Sequence, residues 1–236
     1  MTRAVLTGLV CGLVAGCGAG TTASSTAPAR LTAPPSATTT AHRAPATSPA
    51  TGAPAPPRPA APDPGSLPQT PVVPSAASAQ FHDEMAALWQ GIASGDPKVA
   101  RPAFFPEGAY LQLKSIANAR SDYEGRLLYD YGLDIVAAHA LVGSGAQFVA
   151  VDVPSAYGHW VPSGVCENRV GYYEVAHSRL VYSQNGLVRS LGIASMISWR
   201  GAWYVIHLGA ILRSSVQGLV ENPTAGRGVS PPSSTC

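Results

Sequence analysis

Lysine is nearly missing from this chain: Lys98 and Lys114 are the only two in 236 residues, and charged residues of all kinds make up 12%. That share is about half of what an ordinary soluble domain carries. Without clustered Lys and Arg there is nothing to displace counterions from phosphates, which argues against nucleic acid as a partner. The formal charge of +2 dissolves along the chain. Arg3 lies in the first 16 residues, Arg30, Arg43 and Arg58 outweigh Asp63 in the next stretch, and residues 81–236 are left at −1. Also lacking are a Gly-rich phosphate loop, His-Glu-x-x-His, Gly-x-Ser-x-Gly and Cys-x-x-Cys, which disfavours the common hydrolase and redox classes. No His stands at ligand spacing from a cysteine, so neither a metal nor another cofactor is expected.

What is present falls into unequal parts. Thr2 and Arg3 precede an apolar run, residues 4–16, broken by nothing more polar than Thr7 and Cys11. As a helix this run would reach roughly 20 Å, short of the roughly 30 Å hydrocarbon core, so it reads as a secretory signal and not as a span. The run ends in Leu13-Val14-Ala15-Gly16-Cys17, which resembles the lipobox of bacterial lipoproteins. That resemblance implies cleavage after residue 16, a diacylglycerol thioether and further acylation, such as palmitate, on Cys17. It implies a cell-envelope protein held to the extracytoplasmic face of a membrane, since two or more acyl chains anchor firmly where one does not. Residues 17–78 are Ala, Thr, Ser and Pro with almost no large apolar side chain, and residues 18–78 hold 14 of the 22 prolines. Such a segment cannot offset its ordering entropy and is expected to be a disordered linker. Thr47-Ser48-Pro49 suits O-glycosylation, but an unmodified linker fits as well.

The expected folded domain spans residues 79–220, with a tail over 221–236. Phe81, Met85, Leu88, Trp89 and Ile92 recur at helical spacing, with Asp83 and Glu84 in the first turn and Gly95 past the end. Asp96-Pro97 offers a start for a short helix toward Arg101, which Pro102 and Pro106 would break. Ser121 and Glu124 fit a capping box ahead of a longer helix ending at Gly143, with Gly125 and Gly132 weakening its first half. Strands are expected over 148–153, 169–175, 179–183, 187–199 and 202–212, with Asn185-Gly186 and Arg200-Gly201 as turns. Helices first and an antiparallel meander afterwards make an α+β domain, the helices on one face of a curved sheet. Over residues 80–213 this order, with the closing strand Trp199-Arg200-Gly201-Ala202-Trp203-Tyr204-Val205-Ile206-His207, resembles the cone-shaped nuclear transport factor two-like superfamily, which includes ketosteroid isomerase and polyketide cyclases. Phe104-Phe105-Pro106 and the C-terminal cysteine also resemble a group of actinobacterial secreted proteins that carries no activity over to this chain.

If Cys11 leaves with the signal and Cys17 carries lipid, Cys166 and Cys236 remain to pair in an oxidising compartment. Such a bond would pin the Gly-, Pro- and Ser-rich tail and stabilise the fold by up to about 4 kcal/mol. His207 alternates in phase with Val205 and Gly209. Asp130, Asp134 and His139 share the long helix, while Tyr172, Tyr173 and Glu174 occupy a strand. A carboxylate and a tyrosine in an apolar cone would serve as base and oxyanion donor, with Asp134, His207 and Tyr172 the candidates. An in-sheet His is more often structural, and Asp152 and His159 flank Tyr157-Gly158, which reads as loop. Trp89, Trp199 and Trp203 read as packing or as the wall of a ligand cavity. The sequence therefore favours a membrane-tethered, non-enzymatic domain that binds a small apolar ligand or an envelope protein. An isomerase or cyclase-like enzyme is the alternative.

Overall fold

The structure is a computed structural model, and it describes residues 63–234 and 236. The expected signal, Cys17 and residues 18–62 of the linker lie outside the described residues. The described residues belong to one compact unit.

The linker was expected to run to residue 78, but its end belongs to the folded unit. Asp63 caps a 3-10 turn, Pro64–Ser66. Gln69 donates to the Ser198 carbonyl at 2.9 Å and accepts from the Arg200 amide at 2.6 Å, while Trp199 Nε1 donates to the Pro64 carbonyl at 3.0 Å. Composition does not reveal such an attachment, because prolines bind here through carbonyls, which need no apolar side chain.

Helix α1 (Ala79–Ser94) opens on Ser78, whose Oγ accepts from the Phe81 amide at 3.1 Å, and closes on Gly95 in the left-handed region at φ 70°. Its inward face carries Phe81, Met85, Leu88 and Ile92. Because the helix begins at Ala79, Asp83 and Glu84 lie past its first turn, and Glu84 is buried. The short helix expected toward Arg101 is a series of turns leading into a 3-10 turn, Arg101–Ala103. Helix α2 (Glu107–Leu113), which the sequence pattern did not reveal, starts directly after Pro106. The long helix is a continuous course: α3 (Ala119–Asp122), a π-helical stretch (Tyr123–Leu128) and α4 (Tyr129–Val142). It begins after Asn118, so Ser121 and Glu124 sit inside it and form no capping box. It ends at Gly143 as expected.

Six antiparallel strands form one sheet: β1 (Gln147–Asp152), β2 (His159–Val161), β3 (Tyr172–Gln184), β4 (Leu187–Trp199), β5 (Ala202–His207) and β6 (Glu221–Ala225). The β3–β4 hairpin is its spine. Strands β1 and β2 pair with successive stretches of β3, while β5 and β6 pair with successive stretches of β4. Its turn, Asn185-Gly186, has φ 52° and 76°, the double left-handed geometry of a tight two-residue hairpin. The strands expected over 169–175 and 179–183 are one strand. His177, at φ 55°, interrupts the pairing between Ala176↔Ser195 and Ser178↔Ile193 without changing the register. A second irregularity between Ser195 and Met196 in the β4–β5 pairing lies opposite it. The register shift in the β4–β5 pairing is a bulge, and a bulge bends the strand that carries it. β5 stops at His207 and not at residue 212, and the expected tail supplies β6.

The core lies between α1, α4 and the sheet. Leu88, Ile92, Phe105, Ile135, Leu180, Ile193, Met196 and Val205 are fully buried. Phe104 stacks on Tyr131 at 4.5 Å, and Trp89 stacks on Phe148 and Tyr182 at 5.9 and 5.8 Å. Among the described residues no helix is long and apolar enough to cross a membrane.

Candidate functional site

Where the sheet bends, it leaves a pocket of about 110 Å³ between β3, β4 and β5 on one side and α2 and the π-helical stretch on the other. Six polar side chains line it: Tyr110, Lys114, Arg126, Tyr172, Ser195 and His207. The fold delivers each of them for a local reason. Ser195 and His207 are register partners across the irregular β4–β5 pairing, and Tyr172 is the first residue of β3. Lys114 caps the C-terminus of α2, and Arg126 projects from the π-helical stretch, a distortion often found at functional positions. Leu113, Leu127, Ile197 and Ile206 complete the wall.

The Cys166–Cys236 disulfide, with Cα atoms 6.0 Å apart, lies on the pocket's lining. Cys166 and Glu167 both hold left-handed backbone, φ 51° and 56°, which is costly for side-chain-bearing residues and persists only where the surroundings impose it. The imposing contacts are visible. The Ser115 amide donates to the Glu167 carbonyl at 2.8 Å, the Arg169 amide to the Leu113 carbonyl at 2.7 Å, and Lys114 Nζ to the Cys166 carbonyl at 2.7 Å. On the tail side, Ser234 Oγ donates to Glu174 at 3.3 Å, and His159 stands 3.5 Å from the same carboxylate.

The electrostatics follow from a surplus of cations. Arg126 donates through Nε and Nη2 to Asp122, both at 2.7 Å, and the Tyr110 hydroxyl donates to Asp122 at 2.5 Å. Burial would raise the Asp122 carboxyl, but the bonds from Arg126 and Tyr110 hold it below its ordinary range. The Arg126 guanidinium is correspondingly raised. Lys114 is lowered, first by desolvation. His207 is pushed down to about 4 by desolvation and then by Arg126, Arg213 and Lys114, so its ring is neutral at ordinary pH. No hydrogen bond among the described residues ends on that ring. Burial pushes Tyr172 up to about 12, leaving a neutral phenol beside Asn168 Nδ2, which donates to it at 3.3 Å. No Asp or Glu lines the pocket.

Of the residues singled out from sequence, His207 and Tyr172 meet here and Asp134 does not. Asp134 is buried elsewhere, accepting from the Gly209 and Leu219 amides and from Arg213. Asp130 stands 3.3 Å from the same Arg213. His139 Nδ1 lies 2.9 Å from the Ile92 carbonyl, and Tyr173 packs edge-on to Trp160 at 5.0 Å. Asp152 ends β1 and pairs with Arg227, and His159 begins β2 rather than a loop. Trp199 and Trp203 are core residues and Trp89 is stacked within it, so none of the three lines this pocket. Sequence reasoning missed Tyr110, Lys114, Arg126 and Ser195. Lys114 carried a signal, as one of only two lysines.

Among the described residues no group of three His, Cys, Asp or Glu side chains is placed to hold a metal ion. The chain matches no protein-family model, and no curated protein or solved structure is significantly similar to it.

Proposed function

We propose that the chain is a cell-envelope lipoprotein, tethered by lipid on Cys17, whose folded unit binds a small ligand in the pocket at the sheet bend. The observation that carries the binding reading is the convergence of Lys114, Arg126, Tyr172 and His207 from separate elements on one recess. A neutral His that makes no hydrogen bond among the described residues, beside two cations, is a poor structural choice and a reasonable ligand contact. The tether reading rests on Leu13-Val14-Ala15-Gly16-Cys17, and a disulfide suits the oxidising side of a membrane. The proposed spacer then ends before Asp63. A cone of the nuclear transport factor two-like kind is the finer fold reading, supported by helices first and a bent central hairpin. Isomerase chemistry is less well supported, because the pocket offers a His and a Tyr but no carboxylate base.

Native mass spectrometry of the protein extracted from its own membranes tests both halves. The expected chain begins at an acylated Cys17 and retains a small-molecule mass, and Cys17→Ser moves the protein out of the membrane fraction. An unchanged membrane fraction in Cys17→Ser overturns the tether; a chain that never carries an added mass overturns the ligand.

A further inference from the structure

We propose that the pocket at the sheet bend takes a short-chain monocarboxylate, its carboxylate between Lys114 and Arg126 at the rim and its hydrocarbon end against Leu113, Leu127, Ile197 and Ile206. This rests on the binding reading above and names the ligand's chemistry. Size sets the first limit. A volume of about 110 Å³ is well under the several hundred Å³ of a drug-sized site, which points to a ligand of few heavy atoms.

Charge sets the second. Arg126 has Asp122 as its partner, whereas Lys114 forms no ion pair among the described residues and donates only to the Cys166 carbonyl. Glu167 acts on Lys114 at coulombic range only and lies off the lining, so the lining itself holds two cations and no anion. Arg126 uses Nε and Nη2 on Asp122 and leaves Nη1 outside that fork. An anion at the rim would satisfy Lys114 and this remaining donor together.

The wall sets the third. Four aliphatic side chains fit a short alkyl group, while a doubly charged phosphate would bring its charge against them at a desolvation cost. The neutral His207 ring adds a donor without adding charge, and the Tyr172 phenol and Ser195 hydroxyl stand with it.

The ring also reports occupancy. The groups set around it are Lys114 and Tyr110 from α2, Asp122 from α3, Arg126 from the π-helical stretch, Tyr172 from β3 and Arg213 from the segment after β5. Only Asp122 among them is anionic, so a bound carboxylate should raise the His207 pKa.

The experiment titrates the full chain, purified as cells make it, with sodium propionate, propionamide and sodium phosphate while NMR follows the His207 ring. Propionate is expected to shift the ring resonances saturably and raise the ring pKa, propionamide to leave them unchanged, and phosphate to bind more weakly. Lys114→Met should weaken propionate about five- to tenfold in protein that remains folded, with Arg126→Gln, which leaves the Cys166 contact intact, as the second variant. Equal binding of propionamide, tighter binding of phosphate, or no effect of either substitution overturns the carboxylate assignment. So does silence toward all three probes. In each such case a small-molecule mass retained by the native protein keeps the binding reading alive, and its absence removes that reading as well.

Discussion

Glu84 stands on the buried side of α1, 7% exposed, where the amphipathic pattern has no other charged residue. Gln80 donates to one of its oxygens at 2.9 Å and to the Tyr204 hydroxyl at 2.8 Å, while its other oxygen makes no well-formed hydrogen bond. Desolvation lifts its pKa from 4.5 to about 7, against the opposing bonds from Gln80 and Tyr204. Between those two values the folded chain holds a proton that the unfolded chain has released, so this group's contribution to stability falls as pH rises through the window. The loss, complete above the folded value, is about 3 kcal/mol. Glu84→Gln keeps the hydrogen-bonding shape without the charge and should abolish that part of the decline, so that the variant is the more stable protein at pH 8. Urea midpoints at pH 5 and pH 8 measure it, and parallel slopes for the two proteins would refute the assignment. This residue was legible as helical from its spacing. Its burial was not, because the pattern placed it in a first turn that begins two residues earlier than read.

Contacts between elements decide where the sequence could be read and where it could not. Asn185-Gly186, Arg200-Gly201, Gly95 and Gly143 marked real boundaries because left-handed backbone is a local demand that few residues meet. Helix α2, strand β6 and the segment over 63–70 escaped notice because each is short and held by partners distant in sequence. The pocket was half legible for the same reason. His207 and Tyr172 lie on strands whose alternation could be followed, whereas Lys114 and Arg126 stand on helical pieces whose register depended on an unseen α2 and a π-helical stretch. Asp134 shows the opposite error. As a carboxylate on the long helix it was a candidate base, yet it joins α4 to the segment after β5 through four hydrogen bonds. Two come from backbone amides that would otherwise be orphaned, and two from Arg213, whose side chain is 9% exposed. Asp134→Ala leaves two backbone amides without their acceptor and Arg213 with Asp130 as its one remaining carboxylate, and should cost about 3 kcal/mol. Hydrogen exchange should locate the damage at residues 209–219, and protection there equal to that of the unaltered protein would show the latch to be dispensable.

At the scale of the whole molecule the disulfide joins the turn after β2 to the far end of the tail, closing a loop with a sequence separation of 70. How much such a loop stabilises depends on how freely the tail would move without it in the folded state. Strand β6 already pairs with β4, and Arg227 already grips Asp152 at 2.7 Å, so the native chain is ordered close to the crosslink whether or not the bond exists. The bond therefore acts mainly on the unfolded chain, and its contribution should approach the loop-closure value of about 4 kcal/mol. Cys236→Ser is expected to lower the melting temperature by the same amount as a reducing agent lowers that of the unaltered protein, and the variant should then be indifferent to reductant. The sheet should survive, since no strand pairing passes through either cysteine. Thermal melts of the two proteins with and without dithiothreitol decide the matter. If reduction leaves the unaltered protein's melt unmoved, the tail is held by β6, Arg227 and the Ser234 contact with Glu174. The crosslink then bears on the pocket it lines and not on the stability of the fold.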